Sequence, residues 1–297
     1  MLKRIWSQRM LLVFLVPGAA ALVAFNYIPM AGILIAFQDY KPQTGLFGST
    51  FVGMQNFRSF LEDPEFHSAL RNTLGIGILS LLFAFPAPII LALMIDNVRA
   101  KAFRRMTQTI TYMPHFLSWV IIAGLVYRLL AEDGIANTIL AWFGVSPVSF
   151  MRSPELYWPI FIIVSILKEA GWGSIIYLAA ITSIDPELYN AASIDGASKW
   201  SKMRWITLPG IAPTIALMFV LNLGSIVNVG FEAAFNLMNP LVMSTADVVD
   251  TYVYRTGILL GRFSYSTAVG FCQSVISFVL FFIGLRLAKK FFNYSII

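Results

Sequence analysis

The sequence is poor in charge. Charged residues make up 12% of the 297 residues and hydrophobic residues 58%, whereas about a quarter of an average soluble domain is charged. A soluble domain of this composition would expose large apolar patches and aggregate. The apolar residues also form runs near or above the roughly 20 residues that span a bilayer. We therefore expect an all-α integral membrane protein.

Cysteine, histidine and the usual catalytic motifs are almost absent as well. Cys272, the one cysteine, lies in an apolar run, which excludes a disulfide framework. His67 and His115 are far apart, so we expect no histidine-based metal site. The sequence has no G-x-x-x-x-G-K-S/T phosphate loop and no H-E-x-x-H, G-x-S-x-G or Cys–His arrangement. We expect no catalytic residue, metal or cofactor in this chain.

Six apolar runs are candidates for membrane spans. The first follows a basic start, which is also typical of a signal peptide. It is long for that purpose, so we favour a retained signal-anchor helix over a cleaved signal. A helix start at Asp63-Pro64 predicts a short interfacial helix before the second span. The predicted spans are residues 11–37, 72–95, 109–130, 157–181, 211–235 and 267–287.

The placement of lysine and arginine predicts how the chain is oriented. With six spans, 13 of the 21 lysines and arginines fall on the side of the N-terminus and six on the other side. Positive charge concentrates in cytoplasmic segments, so both termini are predicted to be cytoplasmic. The net charge of +6 is explained in this way, and no basic domain suggests a nucleic-acid partner.

Residues 185–209 form a polar stretch between two apolar runs, on the predicted cytoplasmic side. Asp185 is placed to cap a helix, with Glu187 in its positive first turn, and Gly196 permits a turn. Ser198 is placed to cap a second helix. Small alanines would allow a partner surface to approach closely, whereas the basic residues would suit lipid headgroups. The residues alone leave both interpretations open.

The spacing in the polar stretch resembles the cytoplasmic signature of ABC importer permeases. That signature is E-A-A, three residues, Gly, nine residues and Ile-x-Leu-Pro, and here Asn190 stands in place of the glutamate. The departure puts in doubt a salt bridge from this position to an ATPase subunit. The resemblance implies ATPase coupling through Glu187, Asn190, Ala191, Ala192, Asp195, Gly196, Ile206, Leu208 and Pro209.

Other motifs resemble the carbohydrate (maltose-type) family of permeases, namely Phe51-Val52-Gly53 with Asn56-Phe57, Asp63-Pro64-Glu65-Phe66 and Arg71-Asn72-Thr73. Further motifs resemble a subgroup of that family assigned to oligosaccharide or polysaccharide uptake. They are Tyr112-Met113-Pro114-His115-Phe116, Asn239-Pro240-Leu241, the segment 250–255 and Tyr294-Ser295.

That resemblance implies a type I ABC importer transmembrane domain in a bacterial plasma (inner) membrane. An N-terminal helix and loop (1–70) would precede a core permease domain (71–297), and the chain would form half of a heterodimeric pore. Its partners would be a second permease subunit, two ATPase subunits that bind ATP and Mg²⁺, and an extracytoplasmic solute-binding protein. Its other contacts would be the carbohydrate and membrane lipid.

Polar residues inside the spans suggest the path of the solute, because a charge at the bilayer centre usually faces the bundle interior. Lys168 and Glu169 precede Gly171-Trp172-Gly173, which we expect to loosen the fourth span. On the fifth span a polar stripe would bind sugar hydroxyls while Trp172 or Tyr177 stacks on a ring. The alternative is that Lys168 pairs with Glu232 or Glu169 to hold the bundle together. The stripe consists of Asn222, Ser225, Asn228, Glu232 and Asn236.

Two other functions compete with the importer. A secondary transporter would relay protons or ions through Lys168, Glu169 and Glu232, but such folds usually contain inverted repeats, and we detect none. A structural membrane protein would leave the nine-residue spacing unexplained. We therefore favour the importer permease.

Overall fold

The computed structural model describes residues 9–292, and these residues are predominantly helical. Lys3 and Arg4 of the basic start, and the Tyr294-Ser295 motif, lie outside them. The α-helices are α1 (Arg9–Leu22), α2 (Gly45–Gly48), α3 (Gln55–Leu61), α4 (Pro64–Leu79), α5 (Pro86–Asp96), α6 (Lys101–Tyr112), α7 (Trp119–Leu129), α8 (Ile135–Trp142), α9 (Pro154–Thr182), α10 (Pro186–Ile194), α11 (Lys199–Lys202), α12 (Leu208–Gly224), α13 (Phe231–Leu237), α14 (Met243–Ala246), α15 (Val249–Tyr254) and α16 (Phe263–Phe292).

Tighter and wider turns extend several of these helices. The wider, π-helical turns are Val23–Tyr27, Ser80–Ala84, Met203–Thr207 and Arg255–Leu259. The tighter, 3₁₀ segments are Ile28–Phe37, Met113–Phe116 and Phe150–Arg152. A two-stranded antiparallel ladder joins β1 (Gln38–Asp39) to β2 (Thr50–Phe51), with Gln38 opposite Phe51.

The chain divides into two compact units. The first contains residues up to 63 and residues 253–272, and aromatic rings form much of its interior. Phe57 packs against Phe37 with ring centroids 5.1 Å apart and against Phe271 at 6.2 Å. The Asn56 side-chain amide donates hydrogen bonds to two backbone carbonyls that precede and begin the ladder, those of Ala36 and Gln38.

The second unit contains residues 64–252 and the chain from residue 273 onward. Its centre is α9. Half of the most apolar 18-residue segment of this helix is buried, whereas the corresponding share is 11–28% in the spans Pro64–Asp96, Lys199–Gly224 and Phe263–Lys290. Tyr157, Phe161 and Ile162 on α9 pack with Ala123 and Val126 on α7. Buried side chains of α5 and α12 pack against the other end of α9.

Within residues 9–292, five helices are long and apolar enough to cross a membrane, or six if one bent pair is counted as a span. The five are Val13–Phe37, Pro64–Asp96, Pro154–Thr182, Lys199–Gly224 and Phe263–Lys290. The bent pair joins Lys101–Phe116 to Trp119–Leu129 at 103°. The predicted all-α membrane fold of six spans is thus confirmed, with one span sharply broken.

Four details of the predicted spans were wrong. The third span breaks at the 3₁₀ turn that contains Pro114, since proline has no N–H to continue the helix. The fourth span is not loosened at residues 171–173, because α9 is continuous there. The fifth span ends at Gly224 and not at residue 235. The interfacial helix expected after Asp63 is the first part of the continuous helix Pro64–Asp96.

Candidate functional site

The polar stretch folds into a short helical hairpin. Asp185 accepts a hydrogen bond from the backbone N–H of Glu187 at 2.9 Å and caps α10. Ser198 accepts one from the N–H of Ser201 at 3.1 Å and caps α11. Gly196 turns the chain between the helices with a φ of 74°, a conformation that glycine adopts without steric strain. Both predicted caps and the predicted turn are confirmed.

Two hydrogen bonds that no sequence motif indicated close this hairpin. The hydroxyl groups of Tyr189 and Thr207 lie 2.9 Å apart, and Thr207 is buried. The ammonium of Lys202 donates to the hydroxyl of Ser193 at 2.6 Å. Side-chain bonds between the two arms therefore hold them together, in addition to the turn at Gly196.

The hairpin exposes small, apolar and acidic residues on its first arm, and the large rings of Trp200 and Trp205 beside the basic Lys199 and Arg204 on its second arm. Asn190, Ala191, Gly196 and Pro209 are exposed, as are Glu187 and Asp195, while Ala192, Ile206 and Leu208 are half-buried. Ile194 is 88% exposed and adds apolar area to this surface, although no sequence motif pointed to it. A surface of this kind suits close packing against another protein.

A central cavity of about 390 Å³ lies beside the middle of α9. Its walls combine aromatic rings with hydroxyl and amide groups, a mixture that suits a solute carrying hydroxyl groups. Its polar lining residues are Ser80, Ser165, Glu169, Asn222, Ser225 and Asn228, and its aromatic ones are Phe85, Trp119, Phe161, Trp172 and Tyr177.

Three polar side chains on one side of this cavity form a charged cluster, namely His115, Lys168 and Glu169. His115 Nδ1 lies 2.7 Å from Glu169 Oε2, and Lys168 Nζ lies 3.2 Å from Glu169 Oε1. Lys168 also donates to the backbone carbonyl of His115 at 2.8 Å. The partner of Lys168 is therefore Glu169, and no ion pair with Glu232 forms among residues 9–292.

The two aromatic residues predicted to stack on a sugar ring differ in their access to the cavity. Trp172 is 44% exposed, and its ring is stacked on that of His115 at 4.7 Å with parallel planes. Tyr177 lines the cavity but is only 2% exposed, since its ring is packed in the α5–α9–α12 core. Trp172 is thus accessible for stacking on a sugar ring, whereas Tyr177 is a core residue.

The predicted polar stripe does not lie on one continuous helix. Asn222, Ser225 and Asn228 line the central cavity. Glu232 and Asn236 follow a break at Gly230, whose φ is 101°, and are not among the lining residues. The stripe was wrong beyond residue 228 because the backbone leaves its helical course after Gly224.

Gln273, to which no sequence motif pointed, holds the broken segment in place. Its amide nitrogen lies 2.8 Å from the carbonyl oxygen of Val227, 2.9 Å from Asn228 Oδ1 and 2.9 Å from Asp250 Oδ1. A side-chain amide can donate in two directions, so Gln273 replaces hydrogen bonds that a continuous helix would have made. The residues around it, Phe271, Cys272, Ser274 and Val275, form no motif that signals this role.

A second cavity of about 520 Å³ lies at the end of the unit that contains Glu132 and Arg152. Its floor is apolar, with Met151 buried. The Ser149 hydroxyl, which donates a hydrogen bond to Glu132 at 2.8 Å, and the nearby Arg152 guanidinium lower the pKa of the Glu132 carboxyl. These two neighbours therefore favour the charged form of the Glu132 carboxyl.

Comparison with known proteins places these features in a family. Residues 84–293 match the family described as "Binding-protein-dependent transport system inner membrane component". The chain belongs to this family. As a permease subunit of such a system it is a transport protein and not an enzyme, and the resemblance predicted from the polar stretch is confirmed.

Several relatives of this permease cover nearly its whole length. It is 42% identical to the polygalacturonan/rhamnogalacturonan transport system permease protein YteP of Bacillus subtilis (strain 168), over 98% of this chain and 91% of that protein. It is 43% identical to protein LplB of the same organism, over 96% and 90%. One solved structure is that of a bacterial alginate ABC transporter in complex with an alginate pentasaccharide-bound periplasmic protein. The permease shares 40% identity and a TM-score of 0.91 with a chain of that transporter, covering 100% and 99% of the two chains.

Proposed function

We propose that this permease forms half of the transmembrane pathway of an ABC importer for an oligosaccharide or polysaccharide, with residues 71–297 as the core permease domain. One observation carries the proposal. The helix Lys199–Gly224 begins in the polar stretch and ends at the central cavity, which Asn222 lines. A single element therefore connects the surface suited to a partner protein with the cavity suited to a solute.

The surface of the hairpin supports its assignment to ATPase coupling. Ala191 and Gly196 allow close approach, and Ile194 and Leu188 supply exposed apolar area. Two ATPase subunits would bind ATP and Mg²⁺ and seat these hairpins, one from this permease and one from a second, homologous permease. Closure of the ATPases would then move the attached spans.

The charge count supports an inner-membrane orientation with the polar stretch and both termini in the cytoplasm. A solute-binding protein would dock on the opposite side, and the alginate transporter structure, which is a complex with a periplasmic protein, supports such a partner. The names of the relatives support a saccharide as the solute. Alginate, described as an acidic polysaccharide, and polygalacturonan, a polymer of uronic acids, make uronate-bearing saccharides the first class to test.

Transport in sealed vesicles tests the proposal. The permease is co-expressed with its operon neighbours, purified with the subunits that accompany it, and reconstituted with the solute-binding protein. We expect co-purification of ATPase subunits and saccharide uptake that requires ATP and resists an uncoupler. Absence of an ATPase subunit, or uptake that collapses with the proton gradient, would overturn the importer and favour a secondary transporter.

A further inference from the structure

The two oppositely charged members of the charged cluster, Lys168 and Glu169, differ in their exposure to the central cavity. Lys168 is buried, with 5% exposure, whereas the Glu169 side chain is 46% exposed and lines the central cavity. Within the described residues Glu169 is the one charged side chain among those that line this cavity. A passing solute would therefore meet a carboxylate, with the ammonium that compensates it lying behind the wall.

The buried position of Lys168 follows from the broken third span. The 3₁₀ turn at Met113–Phe116 leaves carbonyl groups without their helical partners, and Lys168 donates to one of them, that of His115. The ammonium also lies 5.4 Å from the centre of the Trp119 ring. These contacts fix the position of the ammonium, which pairs with the Glu169 carboxylate from the side that faces away from the cavity.

Both carboxylate oxygens of Glu169 are held by the other members of the cluster. Oε1 pairs with Lys168 and Oε2 contacts the His115 ring. The His115 ring is in turn stacked on Trp172, which presents the exposed aromatic surface at this point of the wall. The carboxylate and the indole therefore keep a fixed relation, and each oxygen retains a lone pair for a sugar hydroxyl.

The charges of Lys168 and Glu169 cancel, so the charged cluster has no net charge when His115 is neutral. An uncompensated carboxylate on the cavity wall would repel a uronate, and Lys168 removes that repulsion without lying among the residues that line the cavity. We propose that Lys168 is a specificity-determining residue, which allows acidic saccharides to pass the carboxylate that binds saccharide hydroxyls. The inference rests on the proposed function, and it adds the residue that sets the charge selectivity of the pathway.

Two solutes of equal length separate this role from a structural one. The probes are a uronate oligosaccharide and the same oligosaccharide with its carboxyl groups methyl-esterified, each imported by the reconstituted importer. The solute-binding protein is the same in every preparation, so its own preference cancels when the acid-to-ester uptake ratio of a variant is divided by that of the wild type. The variants are Lys168→Met, Glu169→Gln, the double variant and Lys168→Arg.

The charges predict a distinct ratio for each variant. Lys168→Met leaves an uncompensated carboxylate and should lower the acid-to-ester ratio about tenfold. Glu169→Gln leaves an uncompensated ammonium and should raise the ratio. The double variant and Lys168→Arg, which restore the charge balance, should stay within about twofold of wild type. If Lys168→Met does not accumulate in the membrane, the double variant decides, because its ratio falls below that of Glu169→Gln only if the Lys168 ammonium contributes to the charge balance.

Two results would overturn the inference, and they differ from each other. Equal losses for acid and ester in both single variants, with an unchanged ratio, would mean that the cluster only holds α9 against the broken span. Failure of the wild-type importer to take up either probe would instead overturn the saccharide function on which the inference rests.

Discussion

The polar stretch is held together by contacts between residues close in sequence, whereas the charged cluster also depends on a contact between distant spans. The side-chain hydrogen bonds of the polar stretch join residues at most 18 positions apart, as between Tyr189 and Thr207. In the charged cluster, His115 and Glu169 are 54 positions apart and belong to different spans. The hairpin can thus be moved as a unit by the spans that flank it, whereas the cluster responds only when those two spans shift. Substitutions should therefore affect coupling in the first region, and stability or selectivity in the second.

The largest expected effect is the loss of coupling on Gly196→Pro. Proline cannot adopt a φ of 74°, and it also removes the N–H that donates to the Ser193 carbonyl. We expect saccharide uptake to fall to background while the amount of permease in the membrane stays normal. Gly144→Pro is the matched control, since Gly144 has a φ of 72° and also lies in an open loop. Normal uptake by Gly196→Pro would remove the hairpin from the coupling mechanism.

A loss of stability should follow from Gly171→Ala on the cavity side. A Cβ at Gly171 would overlap the Thr111 carbonyl oxygen, so α6 would have to move away from α9. We expect the free energy of unfolding to fall by about 1–3 kcal/mol, measured by thermal unfolding of the purified complex. Gly173→Ala, whose Cβ would lie 3.2 Å from Pro88 Cβ, should change it by less than about 1 kcal/mol. Equal effects of the two variants would contradict close packing at Gly171.

A moderate effect is expected from the bond between the arms of the hairpin. Removing either hydroxyl, by Tyr189→Phe or Thr207→Val, should lower the free energy that stabilises the contact between the two arms by about 1 kcal/mol. The ratio of saccharide imported to ATP hydrolysed should then fall about fivefold, with little change in membrane level. The double variant should be no worse than either single variant, because the same bond is removed. Additive losses would show that the two side chains act separately.

The smallest effect is expected at Asn190, where the family signature has glutamate. Asn190 is exposed, and the structure places it beside the small surface of Ala191. If docking depends on packing, Asn190→Glu should change ATPase coupling by less than about twofold. Ala191→Leu, which fills the same surface, should cause a clearly larger loss. A gain of coupling on Asn190→Glu would instead indicate a salt bridge that this permease lacks.

The two regions also differ in how well they could be predicted. The caps at Asp185 and Ser198 and the turn at Gly196 depend on neighbouring residues, so local chemistry was sufficient. The stack of His115 on Trp172 depends on the break at Pro114, which brings two spans together. Gly171 was interpreted as a loosening residue because a sequence shows small side chains but not the backbone that approaches them.

The end of the fifth span gives a second example of a feature that hydropathy could not predict. Residues 225–235 remain largely apolar after α12 ends at Gly224, so hydropathy continues where the helix does not. The hydrogen bonds that Gln273 makes to this segment come from a distant part of the chain. Composition therefore predicted the membrane class and the number of spans, whereas the course of the backbone around the cavity required tertiary contacts.

The helix Lys199–Gly224 also sets a scale for movement across this permease. Its 26 residues extend for about 39 Å at 1.5 Å per residue. A tilt of about 10° around the midpoint would displace each end by about 3 Å in opposite directions, which is the length of one hydrogen bond. A pull on the hairpin could therefore make or break the contact between Asn222 and a solute, while side chains near the pivot keep their neighbours.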